Sequence, residues 1–183
     1  KNVVLTAAHC FVDLADASDS TVDEVVSQAY VGFGLKVASS LNDTSVKFIK
    51  VNQVRVHPEY SLDSLENVET KPMRDLAIIQ LDKSAPSSFH PAELLDHEFE
   101  LKKGNSVTLA GFGLVSANPM KRATELRKTE VIIDRPDFSD AQFTYETTDG
   151  KSSCNGDSGG PAYVLSNNRL FLVGVTSWGD RYC

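Results

Sequence analysis

Short apolar runs separated by turn residues recur along most of the chain. They are rich in Val, Ile, Leu and Phe, which strands favour. We predict strands from the runs NVVL, VKFIKVNQVRV, DLAIIQL, SVTLAGFG, TEVIID and LFLVGVTSW. The pattern contains no long helical periodicity. Many short strands without alternating helices predict an all-β protein, either a sandwich or a barrel.

The second of these runs breaks its own alternation. Ile49 and Val51 share one phase, whereas Val54 and Val56 share the opposite phase. A slip at Asn52–Gln53 moves the apolar side chains from one face of the strand to the other. The pattern therefore predicts a β-bulge, which is common in curled sheets.

Few helices are predicted. The best helical candidates are the acidic stretch around residues 18–30 and AELLDHEF at residues 92–99. For the overlapping acidic segment at residues 13–26 we prefer a solvated loop between strands. Residues 86–106 are polar and indicate a connection between two halves of the chain.

Composition and charge exclude several classes of function. The 183 residues suffice for one domain or two small ones, and 41% apolar with 23% charged residues is ordinary for a globular protein. The net charge of −7 argues against nucleic acid, because no basic stripe is present to release counterions from phosphates. No apolar run approaches the ~20 residues of a membrane span, so we expect no membrane partner.

The cysteines Cys10, Cys154 and Cys183 are spaced too far apart for the common zinc patterns. Their odd number leaves one thiol unpaired in a disulfide-bonded protein; three free cysteines in a cytosolic protein are the alternative. The chain starts at Lys1 inside a predicted strand and ends without a terminal element. We therefore expect both ends to be truncated and the missing cysteine to lie outside the chain.

The densest cluster of glycines surrounds a serine. In SSCNGDSGGPAY, residues 152–163, Ser158 lies among Gly156, Gly159 and Gly160. Glycine serves where the backbone adopts a positive φ or lets another group approach closely. Ser158 is therefore a candidate nucleophile, and a serine nucleophile needs a base and a group that orients that base.

The order of the histidines selects among the possible arrangements. His9, His57, His90 and His97 all precede Ser158. GDSGG formally fits the G-x-S-x-G elbow of α/β-hydrolases, but that fold places its catalytic histidine after the serine. An esterase of that fold is therefore disfavoured.

The remaining order is histidine, aspartate, serine. His9 follows a predicted strand in TAAHC, among small residues that let other atoms approach. Asp75 heads the apolar strand DLAIIQL, where a carboxylate can be drawn into the interior. We assign structural or surface roles to the other histidines.

TAAHC, DLAIIQL and GDSGGP, in this order, resemble the signature segments of the chymotrypsin/trypsin-like serine proteases, and SWG resembles the family's substrate-binding strand. The resemblance covers nearly the whole chain. It implies two antiparallel six-stranded β-barrels, both incomplete here, with the active site in the cleft between them. The barrels would be residues 1–88 and 107–183, joined by a connection at 89–106.

The resemblance also implies a role for each candidate residue. Ser158 would be the nucleophile, His9 the general base and then acid, and Asp75 the residue that fixes the histidine tautomer. The backbone N–H groups of Gly156 and Ser158 would form the oxyanion hole. Asp157 would pair with the N-terminal amine released by cleavage of a zymogen.

That amine is absent from residues 1–183, so we expect this segment alone not to form an active enzyme. By the same resemblance Cys154 and Cys183 are bridged beside the specificity pocket, and Cys10 is bridged to a cysteine upstream. Such bridges imply a secreted protein in an extracellular or periplasmic setting.

Specificity is also implied by the resemblance. Ser152 resembles the position at the base of the primary pocket, where a neutral serine cannot offset a buried cation. A large apolar side chain before the scissile bond is therefore expected. Gly179 resembles the glycine that leaves the pocket mouth open. With Ser177 and Trp178, it resembles the segment that pairs with the substrate backbone.

Together these features imply a secreted serine endopeptidase that acts through an acyl-enzyme without a metal or cofactor. It would be made as a zymogen and act as a monomer. Its partners would be polypeptide substrates, protein protease inhibitors and an activating protease. The alternative is a binding or regulatory protein that kept the protease fold and lost its activity.

Overall fold

The computed structural model describes residues 1–61, 73–96, 99–147 and 150–179. These ranges contain the strands β1 Val3–Thr6, β2 Tyr30–Phe33, β3 Lys47–Val56, β4 Ala77–Leu81, β5 Glu93–Leu94, β6 Ser106–Gly111, β7 Leu114–Ala117, β8 Met120–Arg122, β9 Arg127–Ser139, β10 Gln142–Glu146, β11 Pro161–Ser166 and β12 Arg169–Val175. They also contain the helices α1 His9–Ala17 and α2 Val22–Gln28. Neither of these two helices is long and apolar enough to cross a membrane.

The first sheet is antiparallel and has the strand order β1-β4-β3-β2. Its strands alternate as a half-buried sheet does: Ala77 and Ile79 of β4 are buried, whereas Ile78 between them is exposed. The predicted bulge in β3 is confirmed by a shift of register between Val51 and Gln53.

The acidic segment after β1 is helical, so the prediction of a solvated loop at residues 13–26 is wrong. Helix α1 buries Phe11, and helix α2 buries Val26, against the core of the first sheet. Thr21 and Glu24 form a capping box at the start of α2, with the Glu24 N–H donating to Thr21 Oγ1 at 3.2 Å. Helix α2 lies inside the helical candidate at residues 18–30.

The second sheet has the order β10-β9-β6-β11-β12-β5. Val107, Val131, Ile133 and Val164 fill its core. Its strand pairs are antiparallel except that β5 runs parallel to β12. The helix predicted at residues 92–99 is wrong over Glu93–Leu94, because these two residues pair with β12; residues 97 and 98 lie outside the described residues.

The structure is an all-β fold with two short helices, as far as it is described. The two six-stranded barrels are not confirmed, because the first sheet has four strands within the described ranges. Backbone hydrogen bonds join the segment after β2 to the segment before β9: the Leu126 N–H donates to the Leu35 carbonyl at 2.8 Å, and the Val37 N–H to the Thr124 carbonyl at 2.9 Å. The division at residues 1–88, 89–106 and 107–183 stays a prediction.

The core of the second sheet provides a stability test. Ile133 is fully buried, and truncation to alanine removes apolar contacts and leaves a cavity. We expect Ile133→Ala to lower the free energy of unfolding by about 3 kcal/mol, measured by urea denaturation. The neighbouring Ile132 is 39% exposed, so Ile132→Ala is the matched control and should cost less than about 1 kcal/mol. Equal losses for both variants would contradict this assignment of the core face.

Candidate active site

A cleft of about 270 Å³ brings together residues that lie far apart in the chain. His9 and Asp75, which line the cleft, belong to the part of the chain that forms the first sheet. Ser158, which also lines it, belongs to the part that forms the second sheet. Ser177, Trp178 and Gly179 line the same cleft.

Strand pairing places His9 beside Asp75. The pairing of β1 with β4 sets Thr6 opposite Ala77, so the residues just after β1 and just before β4 meet at one end of the sheet. His9 Nδ1 lies 2.6 Å from Asp75 Oδ2, and the His9 backbone N–H donates to Asp75 Oδ1 at 2.9 Å. Because an ionised carboxylate only accepts hydrogen bonds, Nδ1 carries the proton in this contact.

Asp75 is a buried carboxylate with a third donor. Ser177 Oγ donates to Asp75 Oδ2 at 2.5 Å. Burial acts to raise the pKa of Asp75, but the hydrogen bonds from His9 and Ser177 outweigh burial and lower that pKa overall. Ser177 was predicted to bind substrate, and its contact with Asp75 was not predicted, because no local pattern links a serine to a carboxylate so distant in the chain.

The imidazole of His9 is strongly biased towards its charged form. The hydrogen bond to Asp75, followed by the contact with Cys10, raises its pKa to about 10, while burial opposes the change. Cys10 Sγ lies 3.8 Å from His9 Nε2, the ring nitrogen that Asp75 leaves free. Cys10 is a free thiol in this structure.

Ser158 shares the cleft with His9 but does not reach it. Its hydroxyl makes no hydrogen bond within the described part of the chain, and the residue is exposed. Catalytic hydrogen bonds are often long or poorly aligned in enzymes without substrate. The absence of a hydrogen bond between Ser158 and His9 is therefore compatible with a catalytic pair.

Gly159 allows the serine loop to approach β1. Its φ is +78°, and a Cβ at this position would lie 2.3 Å from Thr6 Oγ1, at the end of the strand that leads to His9. The prediction that glycines here permit a close approach is confirmed. The backbone N–H groups of Gly156 and Ser158 donate no hydrogen bond to any residue that the structure describes.

Asp157 points away from the cleft. Its carboxylate accepts hydrogen bonds from the Gly113 N–H at 2.8 Å and the Cys154 N–H at 2.9 Å. A Cβ on Gly113 would lie 2.5 Å from Asp157 Cγ, so glycine is required there. Asp157 and Ser152 line a second cavity of about 370 Å³, and Ser152 is therefore not in the cleft with His9.

A tyrosine that was not predicted from the sequence also lies in the cleft wall. Tyr60 lines the cleft, and its buried hydroxyl has no hydrogen-bond partner among the described residues. Burial and then the charge of Asp75 raise its pKa. Trp178, 41% exposed, packs against Phe138 with ring centroids 5.8 Å apart.

Several residues considered in the sequence lie away from the cleft or outside the described residues. His57 Nδ1 accepts a hydrogen bond from the Glu59 N–H at 3.1 Å, which is a local turn contact. His97 and Cys183 lie outside the described residues, so the bridge between Cys154 and Cys183 stays a prediction.

Removing the carboxylate of Asp75 tests whether Asp75 is the cause of the raised pKa of His9. In Asp75→Asn the pKa of His9 should fall from about 10 towards its ordinary 6.5, measured by NMR titration of the imidazole. A raised folded-state pKa stabilises the fold fully below pH 6.5, and this stabilisation is lost as the pH rises through about 10. Asp75→Asn should therefore be less stable than the parent protein below pH 6.5. The difference between their free energies of unfolding should shrink as the pH rises from 6.5 to about 10. Asp82→Asn, at the other end of β4, is the control, and an unchanged titration in Asp75→Asn would contradict the assignment.

Comparisons with known proteins agree with this geometry. The Trypsin family model matches residues 1–183. The chain is 26% identical over 197 aligned residues to Mannan-binding lectin serine protease 1 of Homo sapiens, and this alignment covers 97% of the chain and 27% of that relative. The chain thus spans only about a quarter of the relative's length. Because the family match extends over every residue, the chain belongs to the trypsin family.

Proposed function

We propose that this protein is a serine endopeptidase that hydrolyses peptide bonds through an acyl-enzyme. The observation that supports the proposal is the two-point contact of Asp75 with His9 in a cleft that Ser158 also lines. Asp75 would hold Nδ1 protonated and so keep Nε2 as the ring nitrogen that acts on the serine.

In the proposed reaction His9 Nε2 takes the proton of the Ser158 hydroxyl as Oγ attacks the substrate carbonyl carbon. The same nitrogen then returns that proton to the leaving amine, and water repeats the sequence to release the acid. His9 must be neutral to act as a base. The contact of Nε2 with the ionisable Cys10 thiol raises the pKa of His9, so the proposed bridge from Cys10 to an upstream cysteine would remove that contribution and lower the pKa.

The backbone N–H groups of Gly156 and Ser158 would stabilise the oxyanion, and loss of one such donor raises a barrier by about 3 kcal/mol. Their positions depend on Asp157, which lies between them in the chain. The Asp157 carboxylate accepts from two neutral amides, and an N-terminal ammonium would be a stronger, charge-assisted partner. We therefore propose a zymogen, activated when a new N-terminus enters the second cavity.

The proposed specificity follows from Ser152. A neutral residue at the base of the primary pocket favours a large apolar side chain before the scissile bond. Ser152 lines the second cavity together with Asp157, so pairing of Asp157 with a new N-terminus would also reshape the wall that carries Ser152.

The setting of the proposed enzyme follows the family. We propose a secreted monomer with two domains, residues 1–88 and 107–183, a connection at 89–106, and a Cys154–Cys183 bridge. Its partners would be polypeptide substrates, protein protease inhibitors and an activating protease.

A second candidate function is a binding or regulatory protein that keeps the fold without activity. One observation favours it: Ser158 makes no hydrogen bond to His9 within the described structure.

A fluorophosphonate probe on the full-length, processed protein separates the two candidates. The enzyme should be labelled at Ser158, and His9→Ala should abolish labelling because the serine loses its base. His57→Ala is the control and should label normally, since the hydrogen bond of the His57 side chain is to the Glu59 N–H in its own turn and alanine keeps the backbone hydrogen bond to Leu76. Absence of labelling in correctly processed protein would favour the binding protein.

Peptide substrates that differ only before the scissile bond test the specificity. We expect kcat/KM for Phe or Leu to exceed that for Arg by at least ~100-fold. Ser152→Asp should raise the value for Arg, because the new carboxylate can pair with the buried cation, whereas the neutral Ser152→Asn should not. A preference for Arg in the unmodified protein would refute the apolar assignment.

A further inference from the structure

Arg74 joins the two sheets beside Asp75. Its Nε lies 2.6 Å from Glu59 Oε2, and its Nη2 lies 2.8 Å from Asp140 Oδ2. Glu59 follows β3 of the first sheet, whereas Asp140 lies in the turn between β9 and β10 of the second. One guanidinium, about 30% exposed, therefore connects two separate parts of the fold.

The backbone of Arg74 is strained. Its φ is +42°, in the left-handed region that a side chain other than Gly, Asn or Asp seldom adopts. Its carbonyl accepts a hydrogen bond from the Leu76 N–H at 2.8 Å, so the chain turns tightly around Asp75. Such strain persists only where the surroundings hold it, and it concentrates at functional sites.

The strain and the two ion pairs act on the same short segment. Because Arg74 directly precedes Asp75, its backbone conformation sets the direction in which the Asp75 side chain leaves the chain. The ion pairs anchor the Arg74 side chain at two points while the backbone turns. Asp75 is thereby aimed at His9, which its two oxygens contact.

We propose that Arg74 is a positioning residue: by pairing with Glu59 and Asp140 together, it holds the tight turn that aims the Asp75 carboxylate at His9. This inference rests on the proposed function, because it assigns Arg74 a role in the same site.

A purely structural ion pair would behave differently. Surface ion pairs contribute little to the stability of a fold, and their loss leaves the rate of the chemical step unchanged. A positioning role requires the reaction step itself to slow when the guanidinium is lost.

The test uses Arg74→Asn in the full-length, processed enzyme. Asparagine tolerates the left-handed backbone, so the substitution removes the guanidinium without adding strain. We expect kcat to fall roughly 10-fold, less than the ~10²-fold that a 1 Å misplacement can cause, with KM within about 2-fold of the parent value. Arg74→Lys keeps the positive charge, but a lysine ammonium lacks the planar set of donors with which the guanidinium binds both carboxylates. It should therefore give an intermediate kcat.

The matched control is Arg169→Asn. Arg169 pairs with Glu93 at the end of β12 opposite to the cleft, so its loss should leave kcat unchanged. Asp140→Asn should reproduce part of the Arg74→Asn effect, and the double variant should be no slower than Arg74→Asn alone. A parental kcat in Arg74→Asn, with or without a lower melting temperature, would overturn the proposal.

A second readout does not depend on turnover. The Nδ1–H proton of His9, held in the short contact with Asp75, should give a downfield NMR resonance that is lost or shifted in Arg74→Asn and kept in Arg169→Asn. If the parent protein shows no peptidase activity, the proposed function fails, and this resonance alone decides whether Arg74 positions Asp75. An unchanged resonance in Arg74→Asn then overturns the inference.

Discussion

The arrangement of the cleft depends on one buried charge, the carboxylate of Asp75. An ionised carboxylate inside a protein is destabilising by several kcal/mol unless donors surround it. Here three donors do so: the backbone N–H and Nδ1–H of His9, and the hydroxyl of Ser177. Two of these donors come from the segment after β1 and the third follows β12. The same contacts that satisfy the charge therefore orient the imidazole and tie the two sheets together.

The serine loop is arranged around a second carboxylate, that of Asp157, which faces the other way. Adjacent residues thus serve two cavities, with Ser158 on the cleft and Asp157 beside Gly113. The close approach at Gly159 brings this loop against the end of β1. A change in the partner of Asp157 would consequently be transmitted to the backbone that carries Ser158, which is the physical basis for proposing activation by cleavage.

Local features of the fold were easier to predict from the sequence than features that depend on distant residues. The strands of the core were predictable because alternation reflects a local choice of face, as in the buried Ile79 beside the exposed Ile78. The acidic segment was predicted as a loop, because its polar composition resembles that of a loop. Its helices form because Phe11 and Val26 are buried against the first sheet, which a local pattern does not show. The strand at Glu93–Leu94 was missed because its pairing partner, β12, lies far along the chain.

The sequence by itself determined which side chains are available for chemistry and in what order they occur, because TAAHC, DLAIIQL and GDSGGP are local patterns. Only the tertiary structure decided which of them touch. It placed Ser177 on Asp75, and it placed Arg74 between Glu59 and Asp140. Such contacts join residues that are distant in the chain, and their geometry follows from strand register and from packing between sheets.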